Sequence, residues 1–504
     1  MSKQNTVTIF PPRVDRKGKT SPLNEMITIP EVGLVAENRC TVVLSEETKQ
    51  NVYASNVKYM LARLTQRIYG DHLSYGARVF QAVHPNRHKE KQGCLIKSLH
   101  CGTGENLLHK CVRAAAFARL LVLSQGFSGV RPEILETFCA MINKDELPEV
   151  PSIGSIGASG DLVPTSHIVM EFLRRVTLEG REGLAIVNGT SFMTGIASLV
   201  VEDFKSLYDF NCKLFAILFQ CQEGIEDVFD EDLHSLKRHA EQQKVAKDFR
   251  TLLQGSECLR NLDKLTVLTD EPSAIIEPIQ DRYSLRCLPQ ELGVIEHVIN
   301  DARTMVENEL NSVSDNPIII GDKIKHGGHF DGAFMAHAME ILKSQCFKLA
   351  YIMRAYMRST TDSKLNAGLL PMYLVANEPE INNGLQGLTL SFDATYVTLA
   401  RETISCSIFA LTDHEGANQD VVSMGMHSAL SALRMIQYLA TLSAELAIIT
   451  RQAVEMLGIE NKLSPQTLSV YERLKEIIPF VDEDRPLNHD IARVENVLKD
   501  LSKL

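Results

Sequence analysis

Four of the long stretches of this chain that contain neither glycine nor proline have the clearest regular pattern, and they limit the fold more than any other feature of the sequence. They cover residues 294–312, 333–359, 388–412 and 426–457. Uninterrupted stretches of this length favour helices over strands. In the last of them, apolar residues recur at steps of three and four on several faces, which is typical of a helix buried in a bundle. The sequence therefore predicts a mainly α-helical protein.

Glycine and proline indicate where two of these helices begin or end. Gly425 and Gly458 stand on either side of the last stretch. Pro289 suits the first turn of the first helix, provided that Gly293 is accommodated within it. We therefore expect long helices with defined ends in the C-terminal half.

The two halves of the chain differ in how often glycine, proline and asparagine interrupt them. The N-terminal half carries clusters of these residues, which predicts loops supported by shorter helices. No repeat, heptad array or low-complexity linker separates the halves. We expect one continuous fold with two lobes: an N-terminal lobe over residues 1–215, and a long-helix bundle with a C-terminal helical cap over residues 216–504.

Composition argues against several kinds of partner. A formal net charge of -11 is unsuited to a nucleic-acid binder, which presents a basic surface to phosphates. Residues 426–457 contain Arg434, Glu445 and Arg451, which are costly inside a bilayer, so this stretch is predicted to be a core helix. The 15 histidines include no HExxH motif and no ligand cluster, which argues against a metal enzyme.

Cysteine usage and the N-terminal sequence bear on the cellular compartment. The 11 cysteines show no paired CxxC spacing. The first residues, MSKQNTVTIFPPRVDRKGK, lack the apolar run of a signal peptide. We therefore expect reduced thiols and a cytoplasmic protein.

The segment GSIGASGDLVP, residues 154–164, is crowded with small residues that allow tight backbone turns. An isolated Ala-Ser-Gly arises by chance in roughly one chain in five of this length. Taken alone, the tripeptide favours an ordinary loop in which Ser159 or Asp161 caps a helix that begins near Leu162. The surrounding sequence decides between this alternative and a catalytic turn.

This segment resembles the signature of the histidine and aromatic amino-acid ammonia-lyase family, which includes related 2,3-aminomutases. The likeness continues in order along the chain, in residues 69–76, 95–104, 187–191, 280–286, 311–317, 327–332 and 418–423. The resemblance implies the all-α fold of the fumarase- and aspartase-like superfamily, with a long central helical bundle and a loop-rich N-terminal lobe. The GSSxMPxKxN loop of fumarases and aspartases themselves is absent.

The resemblance implies that Ala158, Ser159 and Gly160 form the electrophile 4-methylideneimidazol-5-one (MIO), with no metal or diffusible cofactor. The Gly160 nitrogen attacks the Ala158 carbonyl carbon, and water is lost. The residue types suit this chemistry, because a glycine nitrogen is unhindered and a serine hydroxyl can be eliminated to leave an exocyclic methylene. Alanine adds little bulk to the turn.

By the same resemblance, four further residues take part in catalysis. Tyr69 is the base that removes the β-proton, for which its pKa must fall from about 10. Arg286 pairs with the substrate carboxylate through its planar guanidinium. Asn188 and Tyr283 hydrogen-bond the electrophile's oxygen or the substrate. The alternatives are a tyrosine packed at a loop hinge, a structural ion pair and ordinary turn or core residues.

Five residues are implied to contact the substrate: Ser98, Leu99, Asn316, Phe330 and Gln419. Without the resemblance, Asn316 would be a turn residue before a proline and Phe330 a core residue. Ser98 and Leu99 stand where the family distinguishes its substrates, and they match none of its usual pairs. Gln419 lies in an NQD motif, which favours phenylalanine or tyrosine over histidine. Ser98 leaves room for a substituted ring.

Three departures from the family pattern stand out. His100 follows the substrate-selecting pair and would point about 100° away on a helix. The inner loop has Asp-His-Leu-Ser at residues 71–74 where the family usually has Val-Asn-Thr-Gly, which bears on lid closure and on the choice between lyase and aminomutase. Val163 and Thr165 replace the commoner Ala and Leu.

These observations predict an aromatic amino-acid ammonia-lyase that converts L-phenylalanine, L-tyrosine or a ring-substituted analogue into a trans-arylacrylate. The alternatives are an aromatic 2,3-aminomutase, a histidine ammonia-lyase and a non-catalytic helical homologue. The resemblance further implies a homotetramer in which three chains build each active site. On that basis Tyr69 and Ser159 of one site are expected to come from different subunits. Neither nucleic acid nor a membrane is expected as a partner.

Overall fold

The computed structural model describes residues 5–11, 26–262, 279–410 and 414–498. The chain forms two compact units, each made of three segments. The first unit comprises Met1–Glu202, Asp301–Ile341 and Ile404–Leu433, and the second comprises Asp203–Asn300, Leu342–Thr403 and Arg434–Leu504. The boundary predicted between residues 215 and 216 lies within a single helix, because long helices contribute residues to both units.

Helices dominate the described residues, as the uninterrupted stretches predicted. They are α1 (Ile29–Ala36), α2 (Glu46–Ala62), α3 (His88–Leu99), α4 (His109–Ser124), α5 (Pro132–Lys144), α6 (Leu162–Phe172), α7 (Glu182–Val187), α8 (Ser191–Cys221), α9 (Glu231–Ser235), α10 (Ala240–Leu253), α11 (Tyr283–Arg286), α12 (Leu288–Leu310), α13 (Ala333–Thr361), α14 (Gln386–Arg401), α15 (Gly425–Leu457), α16 (Pro465–Ile477) and α17 (Asn488–Leu498). The all-α fold class is confirmed.

In the described part of the first unit, six short strands form three two-stranded sheets. The strands β1 (Asn5–Ile9) and β2 (Cys40–Leu44) are parallel, with Asn5 opposite Cys40 and Ile9 opposite Leu44. The other two pairs are antiparallel: β3 (Thr103–Asn106) with β4 (Pro151–Ile153), and β5 (Ile318–Ile320) with β6 (Lys323–Lys325). Sheets of two strands are too small to form a core, so they fasten loops between helices.

The core of the first unit is built around α4, which is buried from Cys111 to Ser124 and packs against α1 and α5. Two arginines of α4 are buried with it, and backbone carbonyl groups accept hydrogen bonds from their guanidinium groups. Arg113 Nε donates to Val35 O at 3.0 Å, and Arg119 Nη1 donates to Ser314 O at 2.9 Å. Hydrogen bonds of this kind are what allow a charged group to remain inside a core.

The second unit consists mainly of long helices. The Phe215 ring of α8 stacks on Tyr356 of α13 with centroids 4.8 Å apart. Asn211 Nδ2 of α8 donates to Ser443 Oγ of α15 at 2.7 Å. Gln220 of the same helix binds Thr467 of α16, at 2.9 Å between Nε2 and Oγ1. Aromatic stacking and buried hydrogen bonds thus fix how these helices pack.

The ends of the predicted helices agree well with the structure in three of four cases. Helix α15 begins at Gly425 and stops before Gly458, and α12 contains both Pro289 and Gly293. Helix α14 ends at Arg401, well before residue 412, because the Thr403 hydroxyl binds the Ala400 carbonyl at 2.6 Å and competes with the helical hydrogen bonds. Residues 411 and 412 of that predicted stretch lie outside the described residues.

Helix α15 has the length and composition of a membrane-spanning helix. In the structure, however, 72% of its most apolar window is buried inside the protein. This burial confirms the prediction of a core helix.

Candidate active site

A cavity of about 820 Å³ in the first unit collects most of the predicted site residues. Its wall includes Tyr69, Ser98, Leu99, Ala158, Ser159, Asn188, Asn316, Phe330 and Gln419. A cavity of this size suits a small organic substrate. Gly160 is buried directly beside the wall, whereas Tyr283 and Arg286 do not line the cavity.

The Ala158-Ser159-Gly160 turn has an unusual backbone conformation. Ser159 and Gly160 are both left-handed, with φ of 57° and 77°. A Cβ atom on Gly160 would overlap the Gly189 carbonyl, so glycine is required here on steric as well as conformational grounds. Two hydrogen bonds with Gly189 hold the turn, one from Asp161 N to Gly189 O and one from Gly189 N to Ser159 O. The residues present therefore fit a backbone-derived electrophile.

Substituting Gly160 tests whether this close approach is needed. We expect Gly160→Ala to leave the chain at the mass of its sequence and to lower its thermal stability, because the Cβ atom would displace the Gly189 backbone. The matched control is Gly321→Ala, since Gly321 has a φ of 61° and open space around its Cβ position. The control should show only the conformational cost, about 1–2 kcal/mol. The steric argument would be contradicted if Gly160→Ala and Gly321→Ala lost the same stability. It would also be contradicted if the Gly160→Ala chain still showed the mass deficit of two waters.

Asp161 occupies the position before α6 without capping that helix through its side chain. Its buried carboxylate instead accepts hydrogen bonds from Ser155 Oγ and from Met193 N, both at 2.8 Å. Burial raises the pKa of Asp161 to about 6. Ser159 faces the cavity, where Gln419 Nε2 donates to its Oγ at 3.3 Å. The helix-capping alternative therefore does not describe this segment.

Tyr69 lies in the cavity wall with its hydroxyl at a turn of the inner loop, which we define as residues 69–84. Its Oη accepts a hydrogen bond from Gly76 N at 3.0 Å, and its ring packs edge-on against Tyr75 at 6.2 Å. Burial raises the pKa of Tyr69, the Gly76 amide lowers it and the Glu415 carboxylate raises it again. The net shift is upward, opposite to what a base needs, so a lower pKa requires positive charge that these groups do not provide.

Tyr69 and Ser159 line the same cavity of one chain. The expectation that they belong to different subunits is therefore wrong. The inner loop and the Ala-Ser-Gly turn belong to the same compact unit, which brings the two residues together without a second chain.

Glu415 provides a test of the electrostatics around Tyr69. We expect Glu415→Gln to lower the pKa of Tyr69, because the substitution removes the negative charge that raises it. The rise of kcat/KM with pH should then move to lower pH. The amide can still accept the hydrogen bond that Ala77 N donates to Glu415 Oε2 at 3.0 Å. Glu171→Gln on α6, outside the cavity wall, is the control. If the pH profile of kcat/KM stayed in place or moved to higher pH, the Glu415 carboxylate would not control the pKa of Tyr69.

Asn188 and Asn316 meet at one side of the cavity. Asn188 Nδ2 donates to Asn316 O at 2.9 Å and to Asp315 Oδ1 at 3.3 Å. Its own Oδ1 is buried without a hydrogen-bond partner among the described residues. Asn316 Oδ1 accepts a hydrogen bond from Gly327 N at 2.8 Å. In this structure the Asn188 amide nitrogen thus donates to residues 315 and 316, whereas its expected role needs a donor directed at the electrophile or the substrate.

The helix expected to select the substrate is α3, and it is shorter than the predicted segment. It ends at Leu99, while residues 103–106 form β3. His100 therefore lies beyond the helix and stacks on His167, with ring centroids 4.0 Å apart. The helical rotation of about 100° does not apply to it. Ser98 and Leu99 do line the cavity, as predicted.

Several residues of the cavity wall were not predicted, and three of them belong to α3. Lys91, Cys94 and Leu95 precede Ser98 at helical spacing, so all four share one face of the helix. Burial lowers the pKa of Lys91 to about 8. The spacing from Ser98 was the signal that could have found these three residues. The other unpredicted charged or ionisable wall residues are Arg67, Tyr75, Arg78, His326, Asp331 and Glu415.

Tyr283 and Arg286 belong to the second unit, where they form the short helix α11. Tyr283 is 74% exposed, and Arg286 donates to Gln280 Oε1 at 2.6 Å. The structure therefore does not bring the predicted carboxylate clamp together with Tyr69 and Ser159. Among the residues that the structure describes, no group of three or more His, Cys, Asp or Glu side chains could hold a metal ion.

Comparison of the sequence with known proteins identifies the family to which this chain belongs. The profile of the family described as aromatic amino acid lyase matches residues 27–173 and 170–476. The chain belongs to this family. It is 31% identical to the MIO-dependent tyrosine 2,3-aminomutase of Streptomyces globisporus, over 94% of each chain. It is 30% identical to histidine ammonia-lyase of Bacillus subtilis (strain 168), over 90% of this chain and 91% of the relative.

A solved structure extends this similarity to the fold. The crystal structure of tyrosine aminomutase from Streptomyces globisporus superposes with a TM-score of 0.88 at 29% identity, covering 95% of this chain and 96% of that one. The family recognised from the sequence is thus confirmed, and as a member of it the chain is a carbon–nitrogen lyase.

Proposed function

We propose that this enzyme is an MIO-dependent aromatic amino-acid ammonia-lyase. Its substrate would be L-phenylalanine, L-tyrosine or a ring-substituted analogue, and its product a trans-arylacrylate. The observation that carries the proposal is that Ser159, held in a left-handed turn, lines the same cavity as the Tyr69 phenol. This arrangement supplies an electrophile and a base to one bound amino acid.

The chemistry requires both partners, because a β-proton of an aromatic amino acid is barely acidic. Once formed, the cyclised turn supplies an amine-seeking centre that turns the amino group into a leaving group. Tyr69 holds the proton at its Oη, and the Gly76 amide directs that oxygen. Gln419 reaches the Ser159 side chain and can orient groups bound there. Exclusion of water by the surrounding cavity strengthens these interactions.

The cavity wall suits the six-membered ring of phenylalanine or tyrosine better than the imidazole ring of histidine. Leu95, Leu99 and Phe330 are apolar, and the neutral amide of Gln419 offers no charge to an imidazolium. The small side chains of Cys94 and Ser98 leave space along α3 for a ring substituent. These residues support phenylalanine or tyrosine as substrate, with histidine as the weaker alternative.

Tyrosine 2,3-aminomutation is the second candidate, and two observations favour it. The similarity to a tyrosine 2,3-aminomutase extends over 94% of the chain. The inner loop is also bound to α3 by Lys91 and Gln92, which would delay product release. An arylacrylate that stays bound can take ammonia back at its β-carbon and leave as a β-amino acid.

The assembly and the compartment belong to the same proposal. Because Arg286 does not line the cavity of its own chain, its proposed role as carboxylate clamp requires that another copy of the chain supply it, which supports a homotetramer with active sites completed by other copies. The cysteine spacing supports a cytoplasmic protein.

Two measurements test the proposed function. The intact mass should lie two waters below that of the sequence, whereas a non-catalytic homologue would match its sequence. Incubation with L-phenylalanine, L-tyrosine and L-histidine, followed by ultraviolet absorption and chromatography, separates arylacrylates from β-amino acids. A full-mass chain that converts none of the three amino acids would overturn the proposal.

A further inference from the structure

Asp71 in the inner loop has a carboxylate that is completely buried among side chains of two helices. From α2, Tyr59 Oη donates to its Oδ2 at 2.6 Å, and Arg63 donates to both oxygens at 2.9 Å. From α3, His88 Nδ1 lies 2.9 Å from its Oδ1. The carboxylate is therefore fully partnered, and it fastens this part of the loop to both helices.

The backbone of the same segment is held as well. Lys91 Nζ donates to Asp71 O at 2.7 Å and to Leu73 O at 2.9 Å. Gln92 Nε2 donates to Gly70 O at 3.2 Å. Both donors come from α3, so that helix binds the loop through its backbone and through the Asp71 side chain.

A buried network of this kind fixes geometry more than it adds stability. The cost of removing charges from water offsets much of the attraction in a buried ion pair, whereas a fully satisfied network specifies one arrangement. The Tyr69 hydroxyl depends on that arrangement, because it accepts its hydrogen bond from Gly76 of the same loop. The Tyr69 ring also packs against Tyr75 of that loop. Any displacement of the loop therefore displaces the phenol.

We propose that Asp71 is a positioning residue, which fixes the Tyr69 phenol in the cavity by binding the inner loop to α2 and α3. This inference rests on the proposed function, in which Tyr69 is the base. It assigns a role to the position at which this chain has Asp where its family usually has Val.

The test compares Asp71→Asn with Tyr59→Phe. The asparagine has one acceptor oxygen in place of two, so it cannot accept from Tyr59 Oη and from both Arg63 nitrogen atoms, and its own NH₂ group would face the donors of Arg63. The phenylalanine removes one donor and keeps the ring. We expect amide hydrogen exchange across residues 69–77 to accelerate at least about tenfold in Asp71→Asn, and less in Tyr59→Phe. Asp145→Asn is the matched control, because it disrupts the Asp145–Arg113 ion pair elsewhere in the same unit.

Turnover provides the second readout, counted per chain that carries the mass loss of two waters. With L-phenylalanine or L-tyrosine, whichever is converted, we expect kcat of Asp71→Asn to fall at least about tenfold while KM changes less than about threefold. Use of the β-deuterated substrate should reveal a larger isotope effect, because a misplaced base slows proton removal. A purely structural role would reduce the amount of folded enzyme and leave the isotope effect unchanged.

Each outcome bears on the inference. Unchanged exchange in both variants would show that Asp71 does not anchor the loop. Faster hydrogen exchange, with kcat unchanged per chain that carries the mass loss of two waters, would show that Asp71 anchors the loop but does not position Tyr69. If Asp71→Asn fails to fold, Tyr59→Phe decides by the same criteria. A wild-type chain that converts no amino acid would refute the proposed function, and the exchange data would still decide the anchoring.

Discussion

Replacing Ser159 with alanine is expected to abolish turnover and to prevent the full mass deficit of two waters, because one of those waters comes from the Ser159 hydroxyl. Without the hydroxyl group, the turn has nothing to eliminate and no exocyclic methylene can form. The amino group of the substrate would then remain a poor leaving group, and we expect kcat/KM to fall at least about 10³-fold, as when a central catalytic group is removed. Intact mass and ultraviolet absorption of the product check both parts of this expectation.

Ser166→Ala is the matched control for this variant. Ser166 is a nearby buried serine whose hydroxyl donates to Val163 O at 2.6 Å in the first turn of α6. Its loss should leave both the mass deficit and the turnover in place. If Ser159→Ala kept the mass deficit or retained its activity, the electrophile would have to arise elsewhere.

Replacing Tyr69 with phenylalanine is expected to reduce kcat about 10²- to 10⁴-fold, the usual range for a general base. The substitution keeps the edge-on packing with Tyr75 and removes only the hydroxyl that Gly76 N binds. Because Ala158, Ser159 and Gly160 are untouched, the mass deficit of two waters should remain. Steady-state kinetics together with intact mass separate loss of the base from loss of the electrophile.

The control for this variant is Tyr53→Phe, which removes a phenol from the exposed surface of α2 in the same unit. It should behave as wild type in both measurements. A Tyr69→Phe enzyme within about threefold of wild type would rule out Tyr69 as the base, since even a modest base contributes more than that.

The periodic spacing of apolar residues was sufficient to predict the long helices, because steps of three and four place these residues on the buried faces of a helix. Helix α13 begins at Ala333, where the uninterrupted stretch begins, and α15 begins at Gly425 as expected. The helices depend on local sequence, which is what such a pattern reports. The turn at Ser159 was expected only through the family resemblance, since the tripeptide alone favoured an ordinary loop that caps a helix.

The parts that could not be predicted depend on contacts between distant segments. The Asp71 network forms only where α2 and α3 contact the inner loop, and no spacing in the sequence predicts that contact. Glu415 reaches Ala77 across 338 positions of the chain. The location of Arg286 in the second unit was missed for the same reason, because chemical suitability for binding a carboxylate does not specify where a side chain lies.

One face of α3 has a practical consequence for engineering. Lys91, Cys94, Leu95 and Ser98 all border the cavity, so much of its wall along this helix is encoded within a single short run of codons. A randomised library confined to those four codons could vary the accepted ring chemistry and leave the electrophile-forming tripeptide intact. Directed evolution of new arylacrylate products could therefore begin from one mutagenic oligonucleotide.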